Sequence, residues 1–305
     1  MKRVSYAVFG GPDVLRLIDA QEPHAGPGQI RVAVHAAGVN PVDWRLREGQ
    51  VLGAHPLTLP SGVGLDAAGV VDEVGAGVTD VQAGDRVFGE GSDTYAEFAV
   101  LSAWALMPDG LTFEEAAGYP SVMETAVRVL GEVGVRTGQT LLVSGASGGV
   151  GSAVLQLARE RGIAVIGTAG AANQDYLRDL GARATTYGEG WVERVREIGQ
   201  VDAALDLAGS GVIRELIELT GDARRVVSIA DLTAPALGVR FSGTAGSVPN
   251  ALAEAASLIA RGALHIPVEK AYSLADAAAA HSDSQAGHTR GRRVIVVRPL
   301  NRRAG

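Results

Sequence analysis

The chain of 305 residues contains no cysteine. It therefore forms no disulfide, has no thiol nucleophile, and holds no zinc ion or iron–sulfur cluster through thiolates. It also has no uninterrupted apolar run of about 18 residues, the length that spans a bilayer. The first residues, MKRVSYAVFG, lack the long apolar core of a signal peptide. We therefore expect a cytoplasmic protein that does not enter a membrane.

An excess of positive charge is missing too. The 34 Asp and Glu residues outnumber the 27 Lys and Arg residues, which gives a formal net charge of -7. Binding to nucleic-acid phosphates at useful affinity requires a clustered excess of Lys and Arg, so we expect no nucleic-acid partner. Apolar residues make up 47% of the chain, which is enough to build cores for two medium-sized domains.

The pattern of apolar residues changes near Tyr119 and predicts an α/β protein of two domains. Before it, short apolar runs broken by Gly, Pro and Asp predict β-strands in an antiparallel or barrel-like arrangement. After it, strands alternate with helices, which predicts βαβ units and a parallel sheet covered by helices on both faces. The predicted strands are Leu141–Val143, Ala164–Thr168, Ala203–Leu207 and Arg225–Ala230, and the predicted helices are Ser152–Arg161, Asn173–Leu180, Trp191–Ile198 and Gly211–Thr220.

The C-terminal part contains two alanine-rich helices and a last strand, Arg292–Arg298. If this strand returns to the N-terminal β domain, that domain is discontinuous. We therefore predict one domain from residues 1–118 and 250–305, and a second from residues 119–249.

A glycine-rich turn follows the first strand of the second domain. Residues 141–162 read LLVSGASGGVGSAVLQLARERG, and contain the spacing Ala146-x-Gly148-x-x-Gly151 between a strand and a helix. In this context small residues let the backbone approach a pyrophosphate, and Gly151 lets the helix pack closely on the strand. Free amides at the start of helix Ser152–Arg161 would face the phosphates. A purely structural turn is the alternative, but the βαβ series favours a dinucleotide site.

The end of the second strand bears on which dinucleotide binds. Folds that prefer NAD place an acidic residue there, about 20 residues after the glycine turn, for the ribose 2′-hydroxyl. Here residues 168–174 read TAGAANQ, with no acid before Asp175. Because this absence removes repulsion against a 2′-phosphate, it favours NADPH over NADH. No Lys or Arg lies in the loop, so Asn173 and Tyr187 are the remaining polar contacts.

Several motifs in the same order resemble the zinc-independent quinone oxidoreductase family (zeta-crystallin-like) of the medium-chain dehydrogenase/reductase superfamily. They are AAGVNPVDWRLREG (36–49), LPSGVGLDAAGVVDEVGAGV (59–78), AGDRVFG (83–89), YAEFAV (95–100), VSGASGGVGSAVLQLA (143–158) and HTRGRRVIVV (288–297). The resemblance implies a GroES-like β-rich domain and a Rossmann domain with a doubly wound parallel sheet, with the active site in the cleft between them. Members of the family transfer hydride from NADPH to quinones or other activated enones.

Zinc-dependent relatives of this family carry Cys where this chain has Asn40, and His-Glu where it has Leu65-Asp66. A catalytic zinc needs three protein ligands of N, S or O type, and neither Asn40 nor Leu65 replaces the missing Cys or His. The cysteine-rich loop for a structural zinc is missing as well. We therefore expect no metal, and an acceptor whose own conjugation spreads the charge that arrives with hydride.

The resemblance also assigns site residues. It implies that Asn40 lines the nicotinamide and substrate pocket and that Thr125 lies near the nicotinamide. Together, the glycine turn, the end of the second strand and the loops after the later strands give these expected cofactor contacts: Ala146, Ser147, Gly148, Gly149, Val150, Thr168, Gly170, Asn173, Tyr187, Leu207, Ala208, Gly209, Ser228, Ile229, Ala230 and Phe241.

Trp44 and Arg45 mark a departure, because well-known quinone reductases have a tyrosine at this place. Arg45 is either a donor to the acceptor carbonyl or part of a surface salt bridge. Asp43 is either a polar residue of the pocket or a structural turn residue.

The expected function is metal-free, NADPH-dependent reduction of a quinone or similar enone. The alternatives are an enoyl or enone reductase that acts on a biosynthetic intermediate, and a non-catalytic cofactor-binding relative. A short-chain dehydrogenase is excluded, because it needs a Lys four residues after a Tyr, and neither Lys2 nor Lys270 stands there. Family habit implies a homodimer, with residues 238–243 as an edge strand where the partner would bind.

Overall fold

The computed structural model describes residues 1–50, 58–243, 248 and 250–298. In chain order the strands are β1 (Lys2–Tyr6), β2 (Arg16–Asp19), β3 (Ile30–Val39), β4 (Ser61–Gly62), β5 (Asp66–Val74), β6 (Arg86–Ser92), β7 (Phe98–Leu106), β8 (Thr140–Ser144), β9 (Ala164–Ala169), β10 (Arg183–Thr186), β11 (Ala203–Asp206), β12 (Val226–Ser228), β13 (Arg240–Phe241), β14 (Val268–Ser273) and β15 (Arg292–Val296). The helices are α1 (Pro41–Arg47), α2 (Phe113–Ala116), α3 (Pro120–Val133), α4 (Gly149–Glu160), α5 (Gln174–Asp179), α6 (Trp191–Ile198), α7 (Ile213–Thr220), α8 (Ala251–Ala260) and α9 (Ala277–Gln285). In the described ranges no helix is long and apolar enough to cross a membrane.

Contacts between residues group the chain into two compact units. The first comprises Met1–Ser121, Leu252–Gly262 and Ile266–Gly305, and the second comprises Val122–Ala251 and Ala263–His265. The domain limits drawn from the sequence stay a prediction. Residues 299–305, which the sequence assigns to the discontinuous domain, lie outside the described residues.

The first unit is built around a sheet with strand order β14-β15-β3-β5-β6-β7, in which β3 also pairs with β7. The strands β3, β5, β6 and β7 thereby form a closed ring of antiparallel pairs. Burial alternates along the first half of β3, so that Ile30, Val32 and Val34 point into a core that also contains Val71 and Leu101. A smaller antiparallel sheet has the order β2-β1-β4.

The C-terminal strand β15 lies in the sheet of the first unit. It pairs antiparallel with β3, from Arg293 opposite Val39 to Val296 opposite Ala36. The prediction that the last strand returns to the N-terminal β domain is therefore confirmed. This pairing brings Arg292 next to the end of β3, where α1 begins.

The second unit contains a parallel sheet with strand order β10-β9-β8-β11-β12-β13. Numbered within the unit, this order is 3-2-1-4-5-6, the order of doubly wound folds that bind dinucleotides. It reverses between β8 and β11, and ligands of such sheets bind in the crevice at this switch point. One face is covered by α6 and α7, whose Val195 and Leu216 share a core with Leu142, Ile166 and Val226 of the strands. The predicted α/β class is confirmed.

Several element limits differ from those predicted. Helix α4 begins at Gly149 rather than Ser152, because Gly148 is the last extended residue, at φ -73° and ψ 177°. Helix α7 begins at Ile213 rather than Gly211, whose φ of +76° is left-handed. Strand β12 ends at Ser228 because its hydroxyl accepts hydrogen bonds from the next two available amides, those of Ala230 and Asp231. The elements that were not predicted include helices α1, α2 and α3 and strands β10 and β14.

Candidate functional site

The turn after β8 is shaped to receive an anion. Gly145 has a left-handed φ of +80° and turns the chain back toward the sheet. Gly148 stands at the N-cap of α4 and has no side chain to bond the first amides of the helix. Those amides and the positive end of the helix dipole are the features that bind phosphate groups. Gly149 and Val150 lie in this first turn, which begins three residues before the predicted start at Ser152.

Gly151 is the point of closest contact between α4 and the turn. A Cβ at this position would lie 2.4 Å from the carbonyl oxygen of Gly145 and 2.5 Å from that of Ala146. Backbone atoms cannot move aside as a side chain can, so no other residue fits here without displacing the turn. A Cβ on Gly145 would in turn lie 3.1 Å from the Cβ of Ala208, which places the turns after β8 and β11 side by side at the switch point.

A buried aspartate joins the loops that follow β11 and β12. Asp206 accepts a hydrogen bond from the Ser228 hydroxyl at 2.8 Å and from the amides of Ala208 and Gly209 at 3.3 and 3.0 Å. Gly209 also packs against Ala230, because a Cβ on it would lie 2.9 Å from the Ala230 Cβ. The structure thus brings these predicted residues together: Leu207, Ala208, Gly209, Ser228, Ile229 and Ala230. Asp206 was not among the predicted site residues, although an acidic residue at the end of an apolar strand could have indicated it.

The loops after β9 and β10 form a corner beside the glycine turn. Thr168 lies in β9, and its carbonyl accepts the amide of Ala146 at 3.1 Å. Asn173 donates from Nδ2 to the Ser147 hydroxyl at 3.3 Å, which ties the loop after β9 to the glycine turn. Tyr187 is 53% exposed, and its hydroxyl lies 3.4 Å from the position of a Cβ on Gly170. The predicted contacts of the adenosine half therefore lie together.

Phe241 and Thr125 are linked through Arg128 within the second unit. Phe241 pairs with Ser228 in the parallel register of β12 and β13, and Ser242 follows it. Arg128 of α3 donates to the Ser242 hydroxyl and, at 3.4 Å, to Thr125 Oγ1. Sequence reasoning missed Arg128, which stands one helical turn after Thr125.

In the first unit, Asn40 ends β3 and caps α1. Its side chain is 4% exposed. Nδ2 donates to Asp66 Oδ2 at 2.9 Å, and Oδ1 accepts from Arg292 Nη2 at 2.8 Å. These two bonds fix which way the amide faces and leave its second amide hydrogen without an acceptor among the described residues.

Asp66 and Arg292 form a buried ion pair behind Asn40. Asp66 Oδ2 lies 3.4 Å from Arg292 Nη2, and Oδ1 accepts the amide of Ser121 at 3.0 Å as well as its hydroxyl. Burial raises the pKa of Asp66, and Arg292 opposes that shift. Burial likewise lowers the pKa of Arg292, and Asp66 opposes this. Arg292 was not predicted as a site residue, although a charged residue at the start of an apolar strand was a visible signal.

Asp43 closes the first turn of α1. Its Oδ2 accepts the amide of Asn40 at 2.8 Å and the hydroxyl of Tyr95 at 3.1 Å. Burial, and secondarily the charge of Asp66, raises the pKa of Asp43 to about 7. The carboxyl lines a cavity of about 130 Å³ that Ser61 also lines. These contacts support the structural interpretation of Asp43, as a helix cap.

Arg45 lies on α1 with its guanidinium carbon 5.4 Å from the centre of the Trp44 ring. Burial lowers its pKa. Arg45 thus has a cation–π contact with the neighbouring ring. Both interpretations of Arg45 stay predictions. Over the part of the chain described here, no group of three or more His, Cys, Asp or Glu residues is arranged to hold a metal ion.

Comparison with family models gives two matches. Residues 26–122 match the model described as the alcohol dehydrogenase GroES-like domain, and residues 180–295 match the one described as zinc-binding dehydrogenase. The first match confirms the GroES-like prediction for the N-terminal β domain.

Comparison with curated proteins finds relatives that carry different names. The chain is 32% identical to a quinone oxidoreductase of Pseudomonas aeruginosa, over 97% of this chain and 99% of the relative. It is 38% identical to the pikromycin polyketide synthase component PikAII of Streptomyces venezuelae, over 82% of this chain and 7% of that protein. It is 36% identical to 2-methylene-furan-3-one reductase of Solanum lycopersicum, over 60% of this chain and 50% of the relative.

Solved structures match along almost the whole chain. The quinone oxidoreductase of Coxiella burnetii superposes with a TM-score of 0.87 at 32% identity, covering 98% of this chain and 99% of that one. The Escherichia coli quinone oxidoreductase complexed with NADPH superposes with a TM-score of 0.85 at 26% identity, covering 97% and 100%.

Proposed function

This chain belongs to the quinone oxidoreductase family of the medium-chain dehydrogenases/reductases, and we propose that it transfers hydride from NADPH to a quinone or a similar activated enone. The observation that carries the proposal is the glycine turn at the switch point of a 3-2-1-4-5-6 sheet, with its helix amides left for phosphates. The Escherichia coli neighbour that was solved with NADPH supports the choice of cofactor.

The residues present fit a dinucleotide. The amides at the start of α4 would hold the pyrophosphate, and the close approach at Gly151 keeps that turn open to it. Ser147, Asn173 and Tyr187 would contact the adenosine half, and residues 168–174 contain no carboxylate that would repel a 2′-phosphate. The loops joined by Asp206, together with Phe241 and Thr125, would contact the nicotinamide half. The bound cofactor supplies the hydride.

Asn40 is the residue that we propose for the acceptor. Its second amide hydrogen is available to donate to an acceptor carbonyl, where negative charge develops as hydride arrives. Arg292 and Asp66 hold the amide in one orientation, so the donor is fixed in place before the acceptor binds. Arg45 is the second proposed donor. We keep the proposal metal-free, because the Asn40 oxygen already faces the Arg292 guanidinium and Leu65 has no ligand atom.

The second candidate is an enoyl or enone reductase that acts on a biosynthetic intermediate. The names of two relatives favour it, because a 2-methylene-furan-3-one is itself an enone and a polyketide synthase is a biosynthetic enzyme. The hydride chemistry is the same, and only the shape of the acceptor pocket differs.

Acceptor choice is tested by following NADPH oxidation with 1,4-benzoquinone, 9,10-phenanthrenequinone, a 2-alkenal and an enoyl thioester. We expect the quinones to give the highest kcat/KM, and Asn40→Ala to lower it by about ten- to a hundredfold with little change in NADPH affinity. Preference for the alkenal or thioester by orders of magnitude would replace the quinone proposal by the second candidate. Tight NADPH binding without oxidation by any acceptor would show a non-catalytic relative.

We also propose that the protein is a cytoplasmic homodimer. The absence of cysteine suits a compartment that does not favour disulfides. Strand β13 stands at the end of its sheet, where a second copy can pair with it. Light scattering at micromolar concentration that gives the mass of a single chain would refute the dimer.

A further inference from the structure

Arg194 of α6 brings a positive charge to the loop that carries Tyr187. Its Nη2 donates to the carbonyl of Thr186 at 3.0 Å, and its Nη1 donates to the carbonyl of Glu189 at 2.8 Å. These carbonyls lie on either side of Tyr187 in the chain. In the described ranges no carboxylate forms an ion pair with Arg194, and its buried Nε has no hydrogen-bond partner. The guanidinium is therefore held by two backbone carbonyls.

The register of the sheet places this loop at the end of β9. Thr186 of β10 pairs in parallel with Ala169 of β9, so Tyr187 and Gly170 are the first residues after neighbouring strand ends. The Tyr187 hydroxyl accordingly lies 3.4 Å from the position of a Cβ on Gly170. In doubly wound folds the ribose of the adenosine half lies at this edge, and an arginine near it accommodates a 2′-phosphate.

We propose that Arg194 is the positioning residue for a nucleoside 2′-phosphate: it fixes the Thr186–Glu189 loop with Tyr187 toward the phosphate and supplies the positive charge that residues 168–174 lack. This inference rests on the proposed use of NADPH. The loop after β9 has no Lys or Arg to pair with a 2′-phosphate, and Arg194 of α6 supplies that positive charge instead.

The loop needs such a support, because one glycine within it and one directly after it have left-handed conformations. Gly188 has φ +92° and Gly190 has φ +69°. Glycine loses more conformational freedom on ordering than any other residue, so bonds to the two carbonyls do much to hold Tyr187 in one place. If Arg194 only held the loop in place and had no role in recognition, its loss would weaken the binding of NADH and NADPH equally. Recognition of the 2′-phosphate affects NADPH alone.

The experiment measures Kd by titration calorimetry for NADPH, NADH, adenosine 2′,5′-bisphosphate and 5′-AMP. We expect Arg194→Gln to weaken NADPH and the bisphosphate about tenfold and to leave NADH and 5′-AMP within about twofold. Arg194→Lys, which keeps the charge but loses the paired donors, should fall between wild type and Arg194→Gln. The matched control is Arg183→Gln: Arg183 also donates to a carbonyl, that of Ile198, but lies at the opposite end of β10, and its variant should bind all four compounds as wild type does.

Equal losses of affinity for NADPH and NADH in Arg194→Gln would show that Arg194 only holds the loop in place. That result would overturn the inference and leave the proposed function intact. Unchanged NADPH binding would overturn it as well. Failure of the wild-type protein to bind either dinucleotide would overturn the proposed function and this inference together.

Discussion

Replacing Asp43 by asparagine tests whether one buried carboxyl sets the pH dependence of stability. Asp43 is 3% exposed, and burial raises its pKa from 3.8 to about 7. Between these two values the folded protein keeps a proton that the unfolded chain has released. Folding therefore becomes less favourable as pH rises through this window, and the loss is complete above the folded pKa.

The size of the effect follows from the two pKa values. They differ by about 3 units, and each unit corresponds to about 1.36 kcal/mol, so Asp43 costs about 4 kcal/mol of stability above neutral pH. Asparagine does not titrate, and its side-chain oxygen can accept the same bonds from the Asn40 amide and the Tyr95 hydroxyl. We therefore expect Asp43→Asn to gain about 4 kcal/mol on wild type between about pH 4 and about pH 8.

The assay is denaturant unfolding across this pH range, followed by tryptophan fluorescence, to which Trp44 and Trp104 contribute from the first unit. Asp19→Asn serves as a control of opposite sign. Asp19 is exposed, and its hydrogen bond with Lys2 lowers its pKa, so removing that carboxyl should cost a little stability at neutral pH and nothing in acid. A stability difference between Asp43→Asn and wild type that stays constant with pH would refute the reasoning.

Two further pairs of substitutions test the packing, one pair in each unit. Gly151→Ala should weaken NADPH binding at least about tenfold and lower the free energy of unfolding by about 1–3 kcal/mol, because its Cβ meets two backbone carbonyls. The control is Gly131→Ala on α3, where a Cβ meets nothing within 4 Å; it should raise the free energy of unfolding by about 0.5–1 kcal/mol. Both variants are compared by thermal unfolding and titration calorimetry. Arg292→Leu should lower the free energy of unfolding, measured with denaturant, by about 3–5 kcal/mol, because it leaves the Asp66 charge without its ion-pair partner. Adding Asp66→Asn should recover a large part of that loss. Equal stability of the single and double variants would contradict this reasoning.

Four of the strands of the second domain and the helices between them were predictable, because each of these segments has its own hydrophobic period. Helix α6 has the predicted limits, Trp191–Ile198. The start of α4 was placed three residues late, because its first residues are glycines, which helical propensity disfavours. Their selection there comes from the close approach at Gly151 rather than from propensity. A close contact between the helix and the turn therefore overrides the local signal at the point that we propose binds phosphate.

The site around Asn40 shows that local patterns do not reveal contacts between residues far apart in the chain. The sequence indicates that the zinc ligands are missing at Asn40 and Leu65, since this needs only the residues themselves. It does not show what holds Asn40, because Arg292 lies 252 residues away in the chain. Only the pairing of β15 with β3 brings the two together.

The sequence did not indicate the positive charge of Arg194 that we propose for the 2′-phosphate, because strand β10 was not predicted. Its four residues, Arg183–Thr186, have no apolar alternation strong enough to predict a strand. Without that strand, the register that sets Thr186 beside Ala169 is unknown. The sequence alone therefore does not connect the predicted contact at Tyr187 with Arg194 of the next helix, although that helix was predicted. A parallel sheet sets neighbouring strand ends side by side, so the residues that we propose for the ribose come from two loops. One of those loops is held by an arginine from the following helix.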